Sequence, residues 1–164
     1  MTLNHVETTS RPMIQYTARA SMDPKELDAV MTSAFQALGR FMAENQVAPL
    51  GPPVAVYSDW SEGDMKVEVG FPVSSADAAK AKGEVVAGST PGGHAVKVLH
   101  RGAYDSLRET YAAIESEMDK AGLPQSGLAW EVYIGEPGVT PDADLVTEIY
   151  MQIAPEDVNK LPAD

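Results

Sequence analysis

Apolar residues Leu27, Val30, Met31, Ala34, Phe35, Leu38, Phe41 and Met42 recur at helical spacing and put one hydrophobic stripe on a long helix. Just ahead of it, Asp23-Pro24-Lys25-Glu26 supplies an N-cap, a proline suited to the first turn and an acid near the positive helix end. Pro49, Gly51, Pro52 and Pro53 stop the helix. Residues 13–20, MIQYTARA, predict a strand before it. VAVYSDW and MKVEVGFPV predict two strands after it, joined by the turn-prone Ser61-Glu62-Gly63-Asp64.

The pattern then repeats. At one constant offset Met31 aligns with Leu107, Phe35 with Tyr111, Leu38 with Ile114, Met42 with Met118, Gly51 with Gly127 and Tyr57 with Tyr133. Beyond a longer hairpin, KVEVGFPV aligns with VTEIYMQI, so Glu68 corresponds to Glu148. A second helix over 103–121 presents Tyr104, Leu107, Tyr111, Ile114 and Met118 on one face and ends at Gly122. The fold class that follows is α+β: two pseudo-symmetric strand-helix-strand-strand modules in a mainly antiparallel, curved sheet. Two long helices cover one face, and a ligand cleft lies on the other. The expected boundaries are module 1 at about 11–73, a linker at 74–83, module 2 at about 84–153 and a flexible tail at 154–164. Pro91-Gly92-Gly93 predicts a hairpin opening the second module, and His5 falls in an unstructured N-terminal stretch.

Side chains alternate along strands, which sorts residues by face. Val67, Val69, Phe71 and Val73 form one apolar set, and Leu145, Thr147, Ile149 and Met151 another. Taking Val54, Val56, Trp130, Val132 and Ile134 as helix-facing too leaves Tyr57, Glu68, Glu131, Tyr133, Glu148 and Tyr150 on the reverse face. Tyrosines around a carboxylate suit a lipophilic cation, because ring faces attract positive charge and the acid offsets its desolvation. Glu148 is the sharper centre, since Glu68 has Gly70 where Glu148 has Tyr150.

Charge narrows the partners. Twelve Lys and Arg against 24 Asp and Glu give a net charge of -12, the wrong sign for neutralising phosphates, so direct nucleic-acid binding is not expected. Hydrophobic residues make up 44% of the 164, enough for a core, yet no run is long enough for a membrane span. There is no cysteine, hence no disulfide, thiolate metal site or Cys nucleophile, and a start lacking signal-peptide features points to the cytoplasm. His94 and His100 share a parity without a third ligand, so neither a metal nor a cofactor is expected. No phosphate-binding glycine spacing and no nucleophile-elbow serine is present.

His100, Gly102, Tyr104, Leu107 and Tyr111 form a His-x-Gly-x-Tyr-x-x-Leu-x-x-x-Tyr run; Trp130, Glu131 and Tyr133 a Trp-Glu-x-Tyr strand; and Thr147 to Tyr150 a Thr-Glu-Ile-Tyr strand. With these the sequence resembles the GyrI-like small-molecule-binding family, the effector-binding domain of AraC-type and MerR-type multidrug regulators, which also occurs free-standing. The resemblance is strongest over 95–153. It implies duplicated modules and a cleft with Glu148 at its base and aromatics around it. The ligand-contacting set is then Glu148, Tyr150, Tyr133, Glu131, Trp130, Tyr57, Glu68 and His100. The short stretch before the first strand leaves no room for a helix-turn-helix, so a regulatory role is expected to need a separate protein.

The leading expectation is a receptor for hydrophobic or aromatic, cationic small molecules. Free-standing relatives imply an alternative, hydrolysis of cyclopropane-bearing genotoxic natural products, with Glu148 as general base and Tyr133 or Tyr104 as hydrogen-bond donor. The same analogy raises gyrase as a protein partner, and edge strands offer a route to a homodimer. By spacing alone Tyr104 and Tyr111 also read as core, and His100 as a helix-entry residue.

Overall fold

The computed structural model describes residues 1–161; the end of the predicted tail, 162–164, lies outside them. In chain order the elements are β1 (Asn4–Thr8), β2 (Pro12–Ser21), α1 (Pro24–Asn45), β3 (Val54–Ser61), β4 (Asp64–Pro72), α2 (Ser75–Ala78), β5 (Val86–Ser89), β6 (Gly93–Arg101), α3 (Leu107–Ala121), β7 (Ala129–Ile134) and β8 (Val146–Gln152). A 3-10 turn, Tyr104–Ser106, leads into α3. The fold is α+β, and the chain divides into two compact units, Thr9–Pro91 and Met1–Thr8 with Gly92–Asp164.

In the Thr9–Pro91 unit the strands run β3-β4-β2-β5, every neighbour antiparallel. Asp23 caps α1 by accepting the Lys25 N–H at 2.9 Å, as its place ahead of Pro24 predicts. The helix buries Ala34, Ala37, Leu38 and Phe41, while Phe35 meets Phe71 edge-on at the margin. The segment 74–83, expected as a linker, carries α2: Ser74 Oγ accepts the Asp77 N–H at 3.1 Å, and Ala78 is buried.

The other unit repeats the arrangement as β7-β8-β6-β1, again antiparallel. Its core joins Val96, Val98, Ile114, Met118, Ile149 and Ile153, with Leu107 and Tyr111 packed against it. α3 ends at Gly122, whose left-handed φ of 72° lets the Leu123 N–H return to the Met118 carbonyl at 2.9 Å.

Three expectations are corrected by the outer strands and the C-terminal segment. The hairpin expected at the start of module 2 does not form, because β5 pairs with β2 and β6 pairs with β1. The β2–β5 pairing is close-packed at Gln15, whose side chain lies against Gly88, where a Cβ would stand 2.0 Å from Gln15 Oε1. The N-terminal stretch is likewise β1, with Leu3 in the core and His5 Nε2 hydrogen-bonded to His94 Nδ1 at 2.9 Å. The expected flexible tail forms 3-10 turns over Pro155–Lys160, then buries Leu161 in the same core. Each unit therefore takes its outer strand from the segment that leads into the other copy of the repeat.

Leu3→Ala should lower unfolding free energy by roughly 2–5 kcal/mol, as expected for a buried leucine, read as a fall in the chemical-denaturation midpoint. An unchanged midpoint would mean that β1 is not part of the folded core.

Candidate functional site

Residues directly opposite in an antiparallel pair share a sheet face. On β7 and β8, Trp130 stands opposite Tyr150 and Val132 opposite Glu148, while Glu131 faces Ile149 and Tyr133 faces Thr147. Ile149 lies in the core under α3, so Glu131 and Tyr133 are on the helix side. Trp130, Glu148 and Tyr150 share the reverse face. This reverses the expectation for β7, where Trp130 was assigned to the helix side.

The same inversion occurs in the other unit. Val56 is opposite Glu68 and Val54 opposite Gly70, whereas Tyr57 pairs with Val67 and so lies on the helix side, away from Glu68. The physical reason is burial of both faces. Val54, Ala55 and Val56 are all buried, as are Ala129, Trp130 and Glu131, so apolar character does not mark a face in either strand.

On the helix side, Glu131 is 4% exposed. Its Oε2 accepts the Tyr111 hydroxyl from α3 at 2.6 Å, and its Oε1 accepts the Tyr133 hydroxyl from two residues along its own strand. Tyr104, from the 3-10 turn, packs on Tyr133 with ring centroids 5.6 Å apart and planes tilted by 59°. Burial raises the Tyr104 pKa above the ordinary tyrosine value, and the Glu131 charge raises it further, so Tyr104 stays a neutral phenol. Thr147, opposite both Tyr133 and His100, is fully buried, and its Oγ1 makes no hydrogen bond. A buried hydroxyl left this way costs about 1–3 kcal/mol, which a ligand or water partner would recover.

The reverse face is built differently. Trp130 and Tyr150 stack with planes 3° apart at 5.1 Å, and the Tyr150 hydroxyl donates to Glu148 Oε1 at 3.1 Å. Lys97, from β6, completes the group: its ammonium lies 3.0 Å from Glu148 Oε2 and 5.5 Å from the Tyr150 ring centroid. Burial is the largest single influence on Lys97 and opposes its charge, but Glu148 and Tyr150 together outweigh it and the pKa moves up. Tyr150 is raised by burial first and by Glu148 second, with Lys97 partly offsetting both. Of the residues expected on one face with Glu148, only Tyr150 accompanies it; Trp130 and Lys97 join them, while Glu131, Tyr133 and Tyr57 do not.

The remaining expected residues are held by other partners. His100 is 5% exposed and bound to Thr110 and the Ala103 carbonyl, in keeping with a helix-entry residue. Glu68 accepts the Gln15 side-chain N–H, with Lys66 Nζ 3.6 Å away. The pairing of Glu148 as base with Tyr133 or Tyr104 as donor is not assembled, because Glu148 and Tyr133 project from opposite faces. Lys97 and Thr147 were not among the expected residues, and the fold sets Lys97 against Glu148 and Thr147 opposite Tyr133. Lys97 interrupts Val96 and Val98, an alternation that marks it as reverse-facing once the β6–β8 register is known.

Among the described residues, no helix is long and apolar enough to cross a membrane. Residues 1–154 match the sequence profile of the GyrI-like small molecule binding domain. No curated protein sequence matches the chain. Among solved structures, the EcmrR C-terminal domain is similar with a TM-score of 0.70 and 22% identity, covering 94% of this chain and 99% of that one. SAV2435 bound to tetraphenylphosphonium has a TM-score of 0.68 and 13% identity, covering 96% of each chain. A hydrolase from Listeria innocua has a TM-score of 0.61 and 12% identity, covering 93% of this chain and 92% of that one. At these identities the likeness is one of fold.

Tyr104 should ionise above the ordinary tyrosine range, read as phenolate absorbance against a Tyr104→Phe control. Glu131→Gln should bring it part of the way back, because burial, the larger cause, remains. An ordinary titration in the unsubstituted protein would contradict the buried arrangement.

Proposed function

Because the chain belongs to the GyrI-like small-molecule-binding domain family, we propose that it captures a hydrophobic aromatic cation at Glu131, with Tyr104, Tyr111 and Tyr133 as the surrounding rings. The observation carrying this reading is the buried Glu131 carboxylate held by the Tyr111 and Tyr133 hydroxyls. Phenols donating into a carboxylate keep it in place, and tyrosine rings grouped around an acid attract positive charge. A cation brought against Glu131 gains Coulomb energy in a medium less polarisable than water, and its aryl groups gain from leaving water. The Thr147 hydroxyl adds a hydrogen-bonding group to the same side of the sheet.

Glu148 is the weaker candidate for the ligand's charge. A cation arriving there must displace Lys97 from both the carboxylate and the Tyr150 ring. Trp130, Tyr150 and Glu148 are read as the seat of that internal cation. Capture without turnover is favoured over hydrolysis, since the acid and phenols proposed for ring opening lie on opposite faces. The fold it shares with SAV2435 makes tetraphenylphosphonium a suitable probe.

Calorimetric titration with tetraphenylphosphonium and with neutral triphenylphosphine oxide tests the assignment. Glu131→Gln should weaken the cation by roughly tenfold or more, a loss of about 1.4 kcal/mol, and leave the neutral compound nearly unchanged. Glu148→Gln should leave cation affinity within about threefold. Equal loss for the charged and neutral probes, or a larger loss from Glu148→Gln, would overturn it.

A further inference from the structure

We infer that His100 is a positioning residue: it fixes the turn that carries Tyr104 and thereby sets the aromatic wall of the Glu131 site. This deepens the function proposed above and rests on it. His100 lies on the helix-facing side of β6, opposite Thr147, and is almost fully buried. Its Nε2 is 3.0 Å from the Ala103 carbonyl oxygen and 3.2 Å from Ser106 Oγ, and its Nδ1 is 2.7 Å from Thr110 Oγ1.

The carbonyl can only accept, so Nε2 carries the hydrogen. With the neutral ring, the Thr110 hydroxyl then donates to Nδ1, while Ser106 Oγ donates to the Ala103 carbonyl at 3.0 Å. One imidazole therefore ties together a β-strand, the residue immediately before Tyr104 and the first turn of α3.

The segment needs such a tie. Gly102 turns the chain with a φ of 112°, its N–H bonded to the Leu145 carbonyl at 2.9 Å. Neither the Tyr104–Ser106 turn nor α3 has a side-chain cap on its first residues. Ahead of this uncapped turn, His100 and Ser106 gather on the Ala103 carbonyl, and Tyr104 leaves the next residue to pack on Tyr133. Losing the imidazole leaves Ala103 and Ser106 bonded to each other but no longer tied to β6. The ring of Tyr104 is then no longer held at 5.6 Å from that of Tyr133.

The test is a double-mutant cycle on tetraphenylphosphonium affinity, combining His100→Ala with Tyr104→Ala and using Glu131→Gln as a control. His100→Ala should weaken binding roughly three- to tenfold, the scale of one neutral hydrogen bond, and should have less than about a twofold effect when Tyr104 is already alanine. His100→Gln, whose amide reaches as far as Nε2, should recover most of the loss.

A ligand-free readout separates the two proposals: Tyr104–Tyr133 ring proton contacts in the NMR spectrum should vanish in His100→Ala and persist in His100→Gln. If Glu131→Gln leaves cation binding unchanged, the ligand site falls while these contacts still decide the role of His100. Independent, multiplicative losses in the cycle, or ring contacts retained in His100→Ala, would overturn the positioning role. Should His100→Ala fail to fold, Ser106→Ala must give the same coupling to Tyr104 in weaker form, and its absence counts against the inference.

Discussion

A carboxylate buried in a protein interior is costly unless donors converge on it, and Glu131 draws its donors from two different elements. Tyr111 reaches it from α3 and Tyr133 from its own strand, so the same contacts that make burial of the acid tolerable also tie helix to sheet. Charge-assisted hydrogen bonds of this kind are each worth about 1.5–3 kcal/mol. The rest of the site depends on them. Tyr104 has a partner to pack on because Tyr133 is held, and the Glu131 charge contributes to keeping Tyr104 protonated.

The two acids of the adjacent strands β7 and β8 stand in different surroundings. Glu148 faces away from α3 and is bridged by Lys97, which also lies over the Tyr150 ring stacked on Trp130. In the other unit the place of Glu148 is held by Glu68, to which Gln15 donates, with Gly70 in the position of Tyr150. Gly70 has no room for a larger side chain, since a Cβ there would stand 2.0 Å from the Ile14 carbonyl oxygen. The repeated scaffold thus carries an aromatic cation seat in one copy and a tightly packed amide contact in the other.

Helices, their caps and the duplicated architecture were legible in the sequence because each rests on local chemistry: Asp23 ahead of Pro24, the stripe through Leu38 and Phe41, Gly122 after Met118. The faces of β3 and β7 were not. Deciding between Trp130 and Glu131 requires the cross-strand register, and both are buried, so polarity gave the wrong parity. The N-terminal strand β1 and the pairing of β5 were hidden for a related reason. β1 and β5 are short segments whose pairing partners are distant in sequence, and nothing within NHVET or VAGS names them. Residue type and motif named Glu131, Tyr133 and Tyr104, but their grouping apart from Glu148 came only with the fold.

A crystal structure of the complex with tetraphenylphosphonium tests the central claim most directly. Glu131 should be the carboxylate nearest the phosphorus, with phenyl rings against Tyr104 and Tyr133 and the Lys97–Glu148 bridge intact. Phenyl rings lodged on Trp130 and Tyr150, with Lys97 displaced and Glu148 facing the cation, would contradict it.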